Sequence, residues 1–142
     1  MATIVVVDAA NVMGSRPDGW WKDRAGAAVR LYADLVRLVE RGEGEVSFVL
    51  VLEGAARGAM AKITATDPAG IEATPPVRVV LAAGSGDDTI VDVVRELDGR
   101  RVVVTADREL RRRCEALGAT VHGPSWLLGQ FSRLTSRVSG NV

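Results

Sequence analysis

Thr3-Ile-Val-Val-Val-Asp8-Ala-Ala-Asn11 decides the reading of this chain. Its first five residues are β-branched and apolar on both faces, which suits an interior strand of a parallel sheet rather than a half-solvated antiparallel one. Three more runs repeat the pattern: Val46–Leu52, Val77–Leu81 and Arg101–Thr105; a weaker fifth is Ala119–His122. Between them lie helical patterns. Asp23–Arg41 spaces Ala28, Leu31, Leu35 and Leu38 by three and four, with Gly42 as its C-terminal cap. Asp87–Leu97 carries Ile90, Val91, Val94 and Leu97, and Asp107–Leu117 carries Leu110, Cys114 and Leu117 before Gly118. Ser125–Leu134 forms a last helix, and Gly54–Pro76 reads as a short helix followed by a loop. Strands alternating with helices imply an α/β fold with helices on both faces of a parallel sheet.

The 142 residues suit one domain, placed at 1–134 with a frayed tail at 135–142. An apolar fraction of 47% with 25% charged residues excludes a disordered or fibrous chain. No apolar run approaches the ~20 residues of a membrane span. The N-terminal run lacks a basic flank and is too short for a signal peptide. One cysteine allows no internal disulfide, so a reducing cytoplasm is expected, with no membrane partner. Lys+Arg and Asp+Glu are 18 each, so no diffuse positive field draws nucleic acid to the chain. The charge is uneven, however: residues 101–142 hold seven Arg against three acids, a local +4.

A parallel sheet gathers the C-terminal ends of its strands along one edge, where open α/β sheets bind ligands. The acids after the first four strands fall there: Asp8, Glu53, Asp87 with Asp88, and Asp107. Asp87, Asp88 and Asp107 can also be read as helix N-caps, and Glu53 as a solvated strand end. Asp8 has no such reading, since no clear helix begins after it. Gathered carboxylates repel one another unless a cation neutralises them, and no Lys or Arg adjoins Asp8 in the sequence. Mg²⁺, a hard ion needing few direct carboxylates, is the simplest compensation, and it suits phosphoryl chemistry. Asn11, three residues beyond Asp8, can hold a phosphate oxygen or a metal-bound water, or serve only as a turn residue. Asp88 and Asp92 share a helix face and are expected to act together.

Three segments, in order, carry a family resemblance. Val5-Val-Val-Asp8-Ala-Ala-Asn11-Val12 resembles the opening motif of the NYN domain, a branch of the PIN-like nuclease superfamily. Gly84-Ser-Gly-Asp87-Asp88-Thr-Ile90 resembles its paired-acid motif, and Val102-Val-Val-Thr105-Ala-Asp107-Arg108-Glu-Leu110 its strand ending in Thr/Ser-x-Asp. The similarity spans residues 3–128 and is greatest to the bacterial YacP-like group. It implies a PIN-like, Rossmann-like three-layer sandwich with a five-stranded sheet in the order 3-2-1-4-5. It also implies a Mg²⁺- or Mn²⁺-dependent endoribonuclease leaving 5′-phosphate and 3′-hydroxyl ends. By matching positions, Asp8, Asp87 or Asp88, and Asp107 would bind metal and Asn11 would sit beside them. Asp88 is taken as the ligand of the pair, with Glu53 and Asp92 as further candidates. Glu53 stands where many relatives carry Asp.

The expected partners are RNA (mRNA, rRNA or tRNA) and the ribosome, with oligomerisation open. Arg16, Lys22, Arg24 and Arg57 are candidates for a backbone path, and Arg108 and Arg111 for an outward basic face. Trp20 and Trp21 are either a stacking platform for unpaired bases or a staple fixing the following helix. Cys114 reads as core, and the lone His122, without zinc-spaced partners, as structural. Alternative functions are a catalytically silent RNA- or ribosome-binding adaptor, a PIN-type toxin and a nucleotide phosphohydrolase. The chain has no phosphate-binding Gly-x-x-x-x-Gly-Lys-Ser/Thr motif and no Gly-x-Gly-x-x-Gly after its first strand. A dehalogenase-type phosphatase needs Asp-x-Asp where Asp8-Ala-Ala stands.

Overall fold

A computed structural model describes residues 3–41, 46–66 and 77–140. The Gly42 cap and the loop expected up to Pro76 lie outside the described residues. Among the described residues five strands alternate with six α-helices: β1 (Thr3–Asp8), α1 (Ala9–Gly14), α2 (Arg24–Arg41), β2 (Val46–Leu52), α3 (Ala59–Thr66), β3 (Val77–Leu81), α4 (Gly86–Glu96), β4 (Arg100–Val104), α5 (Arg108–Glu115), β5 (Thr120–His122) and α6 (Pro124–Gly140). Single 3-10 turns at Trp20–Lys22 and Gly54–Gly58 precede α2 and α3.

All pairings are parallel and the sheet order is 3-2-1-4-5. The alternation of the strands sorts the core into two layers. Val5, Val7, Phe48, Leu50, Leu52, Val102 and Val104 face Leu31 and Leu35 of α2, Ile63 of α3, and Leu127 and Phe131 of α6. Val6, Val49, Val51 and Val103 face Ile90 and Val94 of α4 and Leu110 and Cys114 of α5. Each fully buried Val or Leu contributes about 1.5–3 kcal/mol, and both faces of β1 are filled this way. That explains why its sequence does not alternate. Cys114 is core, as read from its spacing.

The chain departs from the sequence expectation in its helices. α1 begins directly after Asp8, too short to show a periodicity; Asp8 is its N-cap. The last helix runs on to Gly140, since no Gly or Pro interrupts residues 130–139. α5 ends at Glu115, two residues before the expected Leu117, and the turn that follows closes at Gly118, whose φ of +91° glycine adopts readily. No helix among the described residues is long and apolar enough to cross a membrane.

Candidate active site at the sheet edge

β1 is the central strand, so the turns leaving β1 and β4 lie side by side. Asp8 and Thr105 are the two buried polar residues among those described, 7% and 0% exposed. The Thr105 hydroxyl donates to Asp8 Oδ2 at 2.9 Å, and the Asn11 N–H donates to Asp8 Oδ1 at 3.3 Å. Thr105 Oγ1 in turn accepts from the Asp107 N–H at 3.1 Å, and Asn11 Oδ1 accepts from the Ala106 N–H at 2.8 Å. Asp107 caps α5, accepting from the Leu110 N–H at 2.9 Å. Asp107 therefore caps a helix and also belongs to the acid group; one role does not displace the other.

Burial pushes the Asp8 carboxyl from 3.8 up to about 6; the Thr105 and Asn11 bonds oppose the rise, and the charges of Asp87 and Glu53 add to it. Asp87 is raised as well, by burial and then by Asp107 and Glu53. These mutual effects identify Asp8, Glu53, Asp87 and Asp107 as one electrostatic group. Ser85, not either aspartate, caps α4, accepting from the Asp87 N–H at 3.2 Å. Glu53 is no free strand end: its Oε2 accepts from the Gly86 N–H at 2.7 Å. A Cβ on Gly86 would sit 2.8 Å from that oxygen, so a larger residue there would displace the Glu53 carboxylate.

Asp88 acts on Asp87 only as the smallest of its causes, and Asp92 on neither Asp8 nor Asp87. Asp88 is 70% exposed and paired with Arg113 of α5 at 3.0 Å, and Asp92 pairs with Arg95 at 3.2 Å. Successive helical residues diverge by about 100°, so Asp87 and Asp88 cannot both serve the same point; Asp87 is the one the neighbouring acids act on. The shared face of Asp88 and Asp92 is turned to arginines. Arg16 is likewise paired within the fold. Its guanidinium pairs with Asp34 at 2.6 Å and lies 5.1 Å from the Phe131 ring centroid, clamping the α1–α2 connection onto α6.

Lys22, Arg24, Arg57, Arg108 and Arg111 are exposed. Arg24 lies 5.2 Å from the Trp20 ring centroid. Trp20 packs against the core and meets Trp21 edge-on at 6.2 Å, while Trp21 is 58% exposed. His122 stacks on Trp126 at 4.6 Å, in keeping with a structural role. Two hollows flank the acids, with Ala10 on the rim of both. One of about 270 Å³ is lined by Met13, Trp20, Arg24 and Glu53; a shallower one of about 500 Å³ is lined by Asn11, Ser15, Ala106 and Ser125.

The donor set is oxygen only, which fits a hard divalent cation. Among the described residues no three acid side chains already converge on one point. Mg²⁺ is commonly held by only one or two carboxylates together with water and substrate phosphates. Thr105 and Gly86 are the positions whose roles the sequence reading did not assign. The signal for Thr105 was its place two residues before Asp107, and for Gly86 its place directly before the paired acids.

The sheet order, the all-parallel pairing and the two helical layers define a Rossmann-like, PIN-like three-layer α/β fold. The crystal structure of Rae1 (YacP) from Bacillus subtilis, in a single-substitution variant, shares it. The TM-score is 0.65 at 14% identity, over 96% of this chain and 78% of that one. The chain thus has a YacP-like fold. No family model and no curated protein matches its sequence.

Proposed function

We propose that this protein is a divalent-metal-dependent endoribonuclease whose centre is Asp8, Asp87 and Asp107. The observation that carries the reading is the buried Asp8 carboxyl, held with Asp87 and Asp107 at the sheet edge. Its two hydrogen bonds come from a neutral hydroxyl and a neutral amide. Burying a carboxylate among other carboxylates is costly in the absence of a compensating cation. The three motifs that resemble the NYN domain fall on these same turns, which favours a phosphodiester as the substrate.

Asp8, Asp87 and Asp107 would hold Mg²⁺ or Mn²⁺, which when bound lowers the pKa of a coordinated water and stabilises charge on a departing oxygen. The protein's part is orientation. Thr105 and the Asn11 N–H fix both oxygens of Asp8, and the Leu110 N–H fixes Asp107. Asn11 spends its carbonyl on Ala106, so its side-chain NH₂ is the group that can donate to a phosphate oxygen. Glu53, tied to Gly86, is left out of the metal set, and so are Asp88 and Asp92. RNA and the ribosome are the proposed partners, and the cytoplasm the proposed location.

The test is cleavage of a mixed labelled RNA in Mg²⁺, Mn²⁺ or EDTA, with wild type and Asp8→Asn compared. Cleavage that needs metal and is lost in Asp8→Asn supports the proposal. RNA binding in EDTA with no cleavage in either metal refutes it in favour of a silent adaptor.

A further inference from the structure

The smaller hollow beside the acids has a composition that a metal centre does not require. Its walls combine an indole (Trp20), a thioether (Met13), a guanidinium (Arg24) and a carboxylate (Glu53) within about 270 Å³. That volume lies just below the about 300–1,000 Å³ of drug-sized ligand sites, which sizes it for a single nucleobase. Unpaired RNA bases are bound by stacking on aromatic rings and arginine planes, with their Watson–Crick edges hydrogen-bonded. The Arg24 guanidinium lies over the Trp20 ring, 5.2 Å from carbon to ring centroid, too close to admit a base between them, so the pair offers one composite stacking surface. Glu53 supplies the edge. Its Oε2 accepts the Gly86 N–H, which fixes the carboxylate and leaves acceptor capacity on both oxygens.

A carboxylate has acceptors only, so it selects a base by its donors. Guanine alone among the four RNA bases presents two adjacent donors on that edge, N1–H and the 2-amino group. Adenine and cytosine present one amino group beside an acceptor, which the carboxylate repels. Uracil presents one N–H between two carbonyls. We infer that the hollow between Trp20, Arg24 and Glu53 is a nucleobase site that takes an unpaired guanine, placing it next to the acids that face the scissile phosphate. RNA as the source of the base rests on the ribonuclease reading; the binding itself does not.

The test uses nucleosides, which carry no phosphate, in EDTA, so neither cleavage nor metal enters. Guanosine, inosine, adenosine, cytidine and uridine are titrated while the indole N–H resonance of Trp20, assigned with Trp20→Leu, is followed. The expected order places guanosine first. Inosine, which lacks the 2-amino group, binds more weakly, and the other three weaker still, by about tenfold or more as for a bidentate contact to a base edge. Glu53→Gln, which keeps a carbonyl for Gly86, is expected to erase the preference for guanosine over adenosine while leaving stacking intact. Arg24→Ala, at an exposed position, should weaken all nucleosides together. Equal binding of all five, no binding, or a guanosine preference that survives in Glu53→Gln would overturn the inference. Nucleoside selectivity without any RNA cleavage would instead retain the base site and remove the nuclease.

Discussion

Replacing Asp8 with Asn should make the protein more stable at neutral pH, although the residue is central to the proposed chemistry. The native fold holds the Asp8 proton more tightly than the unfolded chain does, since burial moves the carboxyl from 3.8 to about 6. At about 1.36 kcal/mol per pH unit this costs the folded state about 3 kcal/mol once the group is charged. The cost is absent below about pH 4, grows between pH 4 and 6, and is complete above pH 6. Asn carries no charge at any of these pH values, so it removes the cost. It also leaves a single acceptor oxygen, because the amide NH₂ in place of the other oxygen cannot accept, so Thr105 or the Asn11 amide loses its partner, which returns about 1–2 kcal/mol. The net gain is about 1–2 kcal/mol, or about 3–8 °C in Tm for a chain of this size. Thermal unfolding by circular dichroism in EDTA, at pH 4 and pH 7.5, measures it. The expected result is a higher Tm for Asp8→Asn at pH 7.5 and an equal or lower one at pH 4. A loss of equal size at both pH values would refute the reasoning, because Asp8 would then be stabilising in its charged form. Addition of Mg²⁺ at pH 7.5 should raise the Tm of the wild type and leave that of the variant unchanged.

Four further outcomes follow from the same geometry. Asp87→Asn should reduce cleavage by about a hundredfold or more, whereas Asp88→Asn, which breaks only the exposed pair to Arg113, should leave it within a fewfold; the reverse pattern in a cleavage assay would exchange their roles. Thr105→Val leaves the Asp107 N–H and one Asp8 oxygen without a partner and should cost about 1–3 kcal/mol, measured by urea unfolding. Arg16→Ala should lower stability by about 1 kcal/mol or more, through the lost Asp34 pair and the contact over Phe131, with no change in RNA affinity by gel shift. Mn²⁺ affinity, followed by electron paramagnetic resonance, should rise with pH through about 6 as the Asp8 proton is displaced.

The sheet was legible because both faces of β1 are filled, so Thr3–Val7 has to be uniformly apolar and cannot be mistaken for an edge strand. The acids were legible because parallel topology converts strand ends into neighbours. Asp87 against Asp88 was not legible: adjacent helical residues differ in direction, and it takes the packing of α5 to bring Arg113 into a pair with Asp88. Spacing suggested Asp88 with Asp92, but that face is held by Arg113 and Arg95. The pairing of Arg16 was not legible because its partners, Asp34 and Phe131, are distant in sequence. α1 was missed since its six residues are too few to display a period, and because Asp8 serves as cap and acid together. Thr105 lay in a quoted motif with no role, as a buried hydroxyl bridging two aspartates leaves no pattern of its own.

Of the bonds among Asp8, Asn11, Thr105, Ala106 and Asp107, two cross between the turns, both donated by the second turn to the first, and one lies within each turn. The first turn receives a hydroxyl from the second, and the second turn sends an amide to the first. This makes a closed stitch in which loss of one thread leaves the other in place. Single substitutions at Asn11 and Thr105 should therefore each understate what the pair supports, and the double variant should lose more than their sum. Rigidity at this edge belongs to the loop of bonds as a whole.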